Sequence, residues 1–387
     1  MTGQLASMDG TVRGEEPTAE TGLTILQLAL IGLACAVCVA NNYYSQPLLA
    51  DIARDLGMSE AMSGLAPTVT QLGIAAGMLL LLPLGDRIDN RRIVVILLLL
   101  QATALLAMSL TDHAAFYLGS ALAAGMCGIV TYLLPAFATR LVEPERRGAV
   151  TGTLAMGIMI GIMLGRSAAG IAGYAVGWRT VYVAAALLTL LMGVAMKRVM
   201  PLTPGLRREP YALLLRSLIA LAREIPLLRR AAMLQALSFG MFNALWVGLA
   251  LRLQAAPFNL NTREIGLLSL VAVTGAIAAP FLGKLADRFD TATAVRACFI
   301  LMAFGWLAML IWPTSYIGVV SAMVIIGVAA TGSDISLRTA LYGLDPAIRM
   351  RLNSVYSTAT FAGGSLFSLA TPLICEDQRA IGTPFVG

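Results

Sequence analysis

The chain has 387 residues, 58% of them hydrophobic and 12% charged, with a formal net charge of +6, whereas a soluble domain carries roughly 25% charged residues. Its mean hydropathy is +0.81 and its pI about 9.2. This balance excludes an ordinary water-soluble globule, and the basic charge is scattered between apolar runs, where a nucleic-acid surface gathers it on one face with interleaved aromatics.

The first 22 residues are polar, with Asp9, Arg13, Glu15, Glu16 and Glu20. They read as a disordered tail, since no basic segment leads into a short apolar run with a cleavage site. A membrane-spanning helix needs about 20 apolar residues, and eleven segments meet that need: 23–42, 62–82, 93–111, 114–137, 150–174, 179–197, 228–250, 264–283, 294–312, 315–336 and 352–373. Lys and Arg decide the expected orientation. One set of connections holds Arg87, Arg91, Arg92, Arg140, Arg146, Arg147, Lys197, Arg198, Arg207, Arg208 and further Arg, while the other holds only Arg54, Arg179, Arg252, Arg263 and Arg379. The N-terminus is therefore expected in the cytoplasm.

The organisation expected is a tail at 1–22, a transmembrane half at 23–197, a cytoplasmic loop at 198–227, a second half at 228–373 and a polar tail at 374–387. Within the loop, Tyr211 to Ala222 has the pattern of an amphipathic helix on the inner membrane face. A charged knot, Leu82-Pro-Leu-Gly-Asp-Arg-Ile-Asp-Asn-Arg-Arg92, separates the second and third segments. Half the chain later Gly283-Lys-Leu-Ala-Asp-Arg-Phe-Asp290 ends the eighth, so Asp86-Arg87 is answered by Asp287-Arg288. Matching polar turns in two halves point to a duplicated membrane bundle.

The Asp-Arg-x-x-x-Arg-Arg turn resembles the cytoplasmic signature of the major facilitator superfamily, Gly-x-x-x-Asp-Arg/Lys-x-Gly-Arg-Arg, with Leu82 and Asp89 in place of its glycines. The order of segments carries the resemblance along nearly the whole chain, which looks most like the drug and metabolite efflux (drug-proton antiporter) members. The resemblance implies an all-α polytopic bundle of two pseudo-repeated six-helix halves around a central cavity, a monomer of the bacterial inner (plasma) membrane that moves a small solute by rocking. The family has twelve spans, so the polar tail at 374–387 is read as standing in place of the last. By resemblance, Asp86, Arg87 and Arg91, with Asp287 and Arg288, form an inner gate, and Glu143 or Glu145 is the acidic partner expected for Arg87.

Arg166 is the one ionisable residue placed well inside a span, within Gly157-x-x-x-Gly161-x-x-x-Gly165-Arg166-x-x-x-Gly170-x-x-Gly173. A charge at that depth costs several kcal/mol and faces a cavity or a partner, whereas small residues at this spacing let a neighbouring helix come close. The run resembles the Gly-rich fifth-helix motif of the efflux members, with Arg166 where that motif has Pro. Asn41, Tyr44 and Gln46 at the end of the first span, and Gln235, Asn243 and Trp246 in the seventh, are candidates to line a cavity; the tyrosine also suits an interfacial belt and the amides helix packing. Protons enter as a coupling ion by resemblance alone, and Asp334 is the carboxylate nearest to a buried position.

No metal, cofactor or catalytic constellation is expected. His113 is the single histidine, the cysteines are scattered and no nucleotide-binding Gly-x-x-x-x-Gly-Lys-Ser/Thr run occurs. Besides an efflux transporter, two other readings remain open: a solute sensor on the same scaffold, and an inactive or truncated copy.

Overall fold

The computed structural model describes residues 23–143, 146–203, 210–254, 258–272, 290–312, 314–344 and 348–380. Among the described residues the regular structure is helical, without strands. Every backbone N–H buried in hydrocarbon must find a partner within its own segment, and the helix supplies it. The N-terminal half holds α1 (Ile25–Asn41), the short α2 (Leu49–Asp55) and α3 (Glu60–Ser63), then α4 (Leu65–Leu80), α5 (Asn90–Leu110), α6 (Ala114–Cys127), α7 (Val130–Ala138), α8 (Arg147–Val176) and α9 (Trp178–Val199). After α10 (Tyr211–Glu224) come α11 (Pro226–Gln254), α12 (Thr262–Leu268), α13 (Thr291–Ile311), α14 (Tyr316–Tyr342) and α15 (Arg349–Ala380).

Seven spans among the described residues are long and apolar enough to cross a membrane, with α1 and α4 as shorter apolar helices. Large apolar side chains face outward along them, Leu110 at 72% and Ile317 at 78% exposure. A surface of that kind suits lipid and not water.

The structure departs from the sequence reading at three places, and forms the amphipathic helix expected within the loop as α10. The fourth span is interrupted at Gly128–Ile129, where the Asn42 side chain presses on Gly128 and α6 gives way to α7. Between the first two spans the chain forms α2 and α3 at one end of the bundle. The amphipathic helix α10 buries Leu214 and Leu218 against the bundle, and the Tyr211 hydroxyl donates to the Leu80 carbonyl at the end of α4. Helix α15 runs on to Ala380, into the stretch read as a polar tail; Glu376, Gln378, Arg379 and Ala380 are good helix formers.

The glycine-rich run of α8 is a packing device with two faces. Gly157, Gly161 and Gly165 lie against Gly32, Ala36 and Ala40 of α1; a Cβ at Gly161 would sit 2.6 Å from the Ala36 Cα. Gly170 faces the other half, where a Cβ would sit 2.7 Å from the Gly266 Cα, and one on Gly173 would strike Leu48. Arg166 and Gly170 are four apart and share the second face.

The paired polar turns also have a plain structural job. Asp89 accepts from the Arg92 N–H at 2.9 Å and caps α5, and Asp290 accepts from the Thr293 N–H at 3.0 Å and caps α13. Those contacts from Thr293 hold the Asp290 carboxyl below its ordinary value of 3.8. Asp89 also accepts from the Thr203 N–H at 2.7 Å, tying the end of the first half to its third span.

Two measurements check these contacts. Gly161→Val is expected to destabilise the protein by about 1–3 kcal/mol through forced separation of α1 and α8, while Gly152→Ala, in open space, leaves thermal unfolding in detergent unchanged. Asp89→Ala is expected to cost about 1–2 kcal/mol through loss of the cap.

Candidate functional site

Arg166 is 1% exposed and lies where the two halves meet. Its guanidinium carbon stands 4.4 Å from the Tyr43 ring centre and 4.5 Å from that of Trp246. Tyr43 follows α1 and Trp246 belongs to α11, so one aromatic face comes from each half. Each such contact is worth about 2 kcal/mol or more in a dry site, against several kcal/mol for burying the ion. Among the described residues no carboxylate pairs with Arg166, and its Nε has no hydrogen-bond partner.

A polar layer surrounds this sandwich. The Gln46 amide donates to Asn243 Oδ1 at 3.2 Å across the interface between halves. Asn243 is held in turn by donating to Ser368 Oγ at 2.7 Å and the Gly364 carbonyl at 3.2 Å on α15. Further buried atoms at the sandwich lack partners: Trp246 Nε1 and Gln46 Oε1 on the same space, and Oε1 of Gln71, which faces Tyr43. Buried polar atoms are ordinarily satisfied, so a cluster of exceptions marks a place built for something else. The space between Arg166, Gln46, Trp246, Leu249 and Ile265 has a volume of about 10 Å³, enough for one water.

The site therefore joins four residues singled out by sequence, Arg166, Gln46, Asn243 and Trp246, and adds Tyr43, with Gln71 facing its hydroxyl. It does not include Asn41 or Tyr44. Asn41 donates to Thr189 Oγ1 at 2.9 Å on α9, and Tyr44 meets Tyr182 edge-on with ring centres 6.4 Å apart. The turn after α1 separates the two sets: Asn41 and Tyr44 meet α9 of the N-terminal half, whereas Tyr43 and Gln46 meet Arg166 and Asn243. Tyr43 was visible only as the neighbour of Tyr44; nothing but its direction distinguishes it. Gln235 is buried on α11 with Oε1 unpaired, away from the Arg166 space.

Asp334 accepts from Arg338 Nε at 2.9 Å and from the Tyr356 hydroxyl at 2.8 Å, and Arg338 also donates to Asn353 at 2.7 Å. It belongs to a local network joining α14 and α15, with a fixed cation as its partner. Of the gate residues, Arg87 is exposed and forms no ion pair with Glu143 among the described residues. Arg91 is half-buried at the start of α5. Asp287, Arg288, Glu145 and the side chain of Asp86 lie outside the described residues.

At the end of the bundle bearing α2, α8 packs along α12 and hydrogen bonds join the halves. Thr262 donates to Asp51 at 2.7 Å, Ser167 donates to the Gly266 carbonyl at 2.9 Å, and Gly170 packs on Gly266. Toward the middle of the bundle Ser365 on α15 donates to the Thr68 carbonyl on α4 at 3.1 Å.

A polytopic helical bundle whose two halves enclose a buried polar centre defines a membrane transport protein. The chain belongs to the Major Facilitator Superfamily, whose model matches residues 31–229 and 231–385. It is similar to the uncharacterized transporter YgaY of Escherichia coli O157:H7, 34% identical over 343 residues, 88% of this chain and 87% of the relative. A more distant relative is the purine ribonucleoside efflux pump NepI of Salmonella enteritidis, 27% identical over 177 residues, 44% of each chain. Among solved structures, a bacterial homologue of the human lysosomal transporter Spinster aligns with a TM-score of 0.74 at 16% identity, covering 92% of this chain and 84% of that one. The last likeness is one of fold.

The sandwich makes a stability prediction. Trp246→Ala should cost about 3–5 kcal/mol, measured by thermal unfolding in detergent, because it removes a large buried ring and one face of a buried cation. Trp246→Phe keeps a ring there and should stay within about 1.5 kcal/mol of the parent.

Proposed function

We propose that this membrane transporter is a secondary active exporter of a small solute in the bacterial inner membrane, with its N-terminus in the cytoplasm, working by alternating access around Arg166. The observation that carries the reading is the fully buried guanidinium, its Nε without a partner, held between an aromatic ring from each half. A group placed there senses solute and the relative position of the halves together, which is what a carrier site between two repeats requires. The direction is supported by the likeness to NepI, named as an efflux pump, and by the resemblance of the Gly-rich α8 to the efflux members. Orientation rests on the distribution of Lys and Arg.

In this reading the seam at Asp51–Thr262 and Gly170–Gly266 is the outer gate, closed in this conformation. Rocking parts these contacts and opens the Arg166 space, too small here for any solute, toward the far side.

Uptake by everted vesicles of a panel of labelled metabolites and drug-like solutes from the medium, with and without a pH gradient, tests the reading. Arg166→Ala is expected to reduce transport to the level of vesicles lacking the protein while membrane insertion stays normal; undiminished flux removes Arg166 from the mechanism. In a chain freed of its five native cysteines, Asp51→Cys with Thr262→Cys, joined by a short thiol cross-linker, should stop flux until reduced. Continued flux in the cross-linked protein means this seam does not part.

A further inference from the structure

We infer that the Arg166 site takes a small amphipathic monoanion, a carboxylate on an apolar body with a hydroxyl beside it. This inference rests on the transporter reading above and names the class of its solute. Three features of one space carry it: a fixed charge, its unpaired donors and acceptor, and its walls.

The charge comes first. Arg166 is 1% exposed, and among the described residues it has no carboxylate partner. Two aromatic faces stabilise a guanidinium but leave its hydrogen-bonding edge unused. A buried cation in that state gains most from an anion that accepts along that edge, because the partner offsets a desolvation cost already incurred by the fold. A cationic solute meets repulsion at short range in a poorly screened setting.

The unpaired atoms come second. Arg166 Nε–H and Trp246 Nε1–H are two buried donors without acceptors on the same small space. A carboxylate has two oxygens to accept from them. Gln46 spends its amide N–H on Asn243 and leaves Oε1 as a buried acceptor. Asn243 fixes which way the Gln46 amide faces, since Asn243 Nδ2 is itself committed to Ser368 and Gly364. The ligand must therefore bring one donor beside its anion, and a hydroxyl is the smallest group that does so.

The walls come third. Away from these polar atoms the space is closed by Pro47, Leu249, Leu253, Ile265, Leu268 and Met323, with the buried Ser269 as the one polar residue among them, and a sugar would leave most of its hydroxyls unpaired there. A short aromatic or branched body fits this surface once the halves part enough to admit it.

Mandelate carries all three features and serves as the probe, beside phenylacetate, which lacks the hydroxyl, mandelamide, which is neutral, and inosine, a neutral nucleoside. Binding is read as a thermal shift of the detergent-purified protein and transport as counterflow in proteoliposomes. Mandelate should stabilise and exchange, phenylacetate should bind about tenfold more weakly for one lost hydrogen bond, and mandelamide should give no shift. Arg166→Gln should abolish the mandelate shift. Because that variant can fail to fold, Trp246→Phe, which removes one donor and keeps a ring, provides the second reading: it should stay folded and weaken mandelate about tenfold.

Flux or binding of inosine or mandelamide without any response to mandelate overturns the monoanion inference and leaves the transporter reading standing. Equal binding of mandelate and mandelamide overturns it as well, since the charge then does nothing. If no solute of the panel binds or crosses, both readings fall.

Discussion

Helix α8 can lie against α1 only because positions 157, 161 and 165 carry no side chain, and everything at the centre of the molecule follows from that contact. With the two backbones nearly touching, Arg166, one residue beyond Gly165, is turned away from α1 and toward the second half. Tyr43, on the same side of the turn that ends α1, is thereby brought to one face of the guanidinium, and Trp246 of α11 closes the other. A larger residue at Gly161 would move the arginine, the tyrosine and the seam near Gly170 together. Packing and function are thus served by one run of residues, with the glycines setting distance and the arginine supplying chemistry.

The duplicated turns show how one repeated segment serves two purposes. Asp86-Arg87 and Asp287-Arg288 carry the family likeness, yet the side chains that act visibly are those of Asp89 and Asp290, which cap the third span of each half. Asp89 stands where the family signature has glycine. A glycine there would free the turn, whereas aspartate stops one helix and starts the next, and through Thr203 it also fastens the end of the first half. This departure from the signature is a local exchange of flexibility for a cap.

The centre of the bundle is unusual in the sign of its charge. Among the described residues Arg166 stands without a carboxylate, and Asp334 is committed to Arg338 and Tyr356 at the junction of α14 and α15. A fixed cation binds an anion and holds no exchangeable proton at ordinary pH, so the group that senses cargo here differs in kind from a buried acid. At the end bearing α2, the Asp51–Thr262 and Ser167–Gly266 hydrogen bonds and the glycine contact of α8 with α12 hold the halves together.

Much of this protein was legible without coordinates. Long apolar runs have one stable outcome in lipid, because each backbone amide must be satisfied inside its own segment; the helical class and the singular burden of an arginine in the fifth span follow from that, and the internal repeat from the matching Asp-Arg turns. Directions of side chains near a helix end do not. Asn41 and Tyr44 turned into the first half while Tyr43 and Gln46 turned out, a difference of one position that only the rotation of α1 against α8 and α9 decides. Likewise, that Trp246 meets Arg166 and that Gln46 meets Asn243 depends on how two separately folded halves dock, and no local pattern of residues encodes the distance between them.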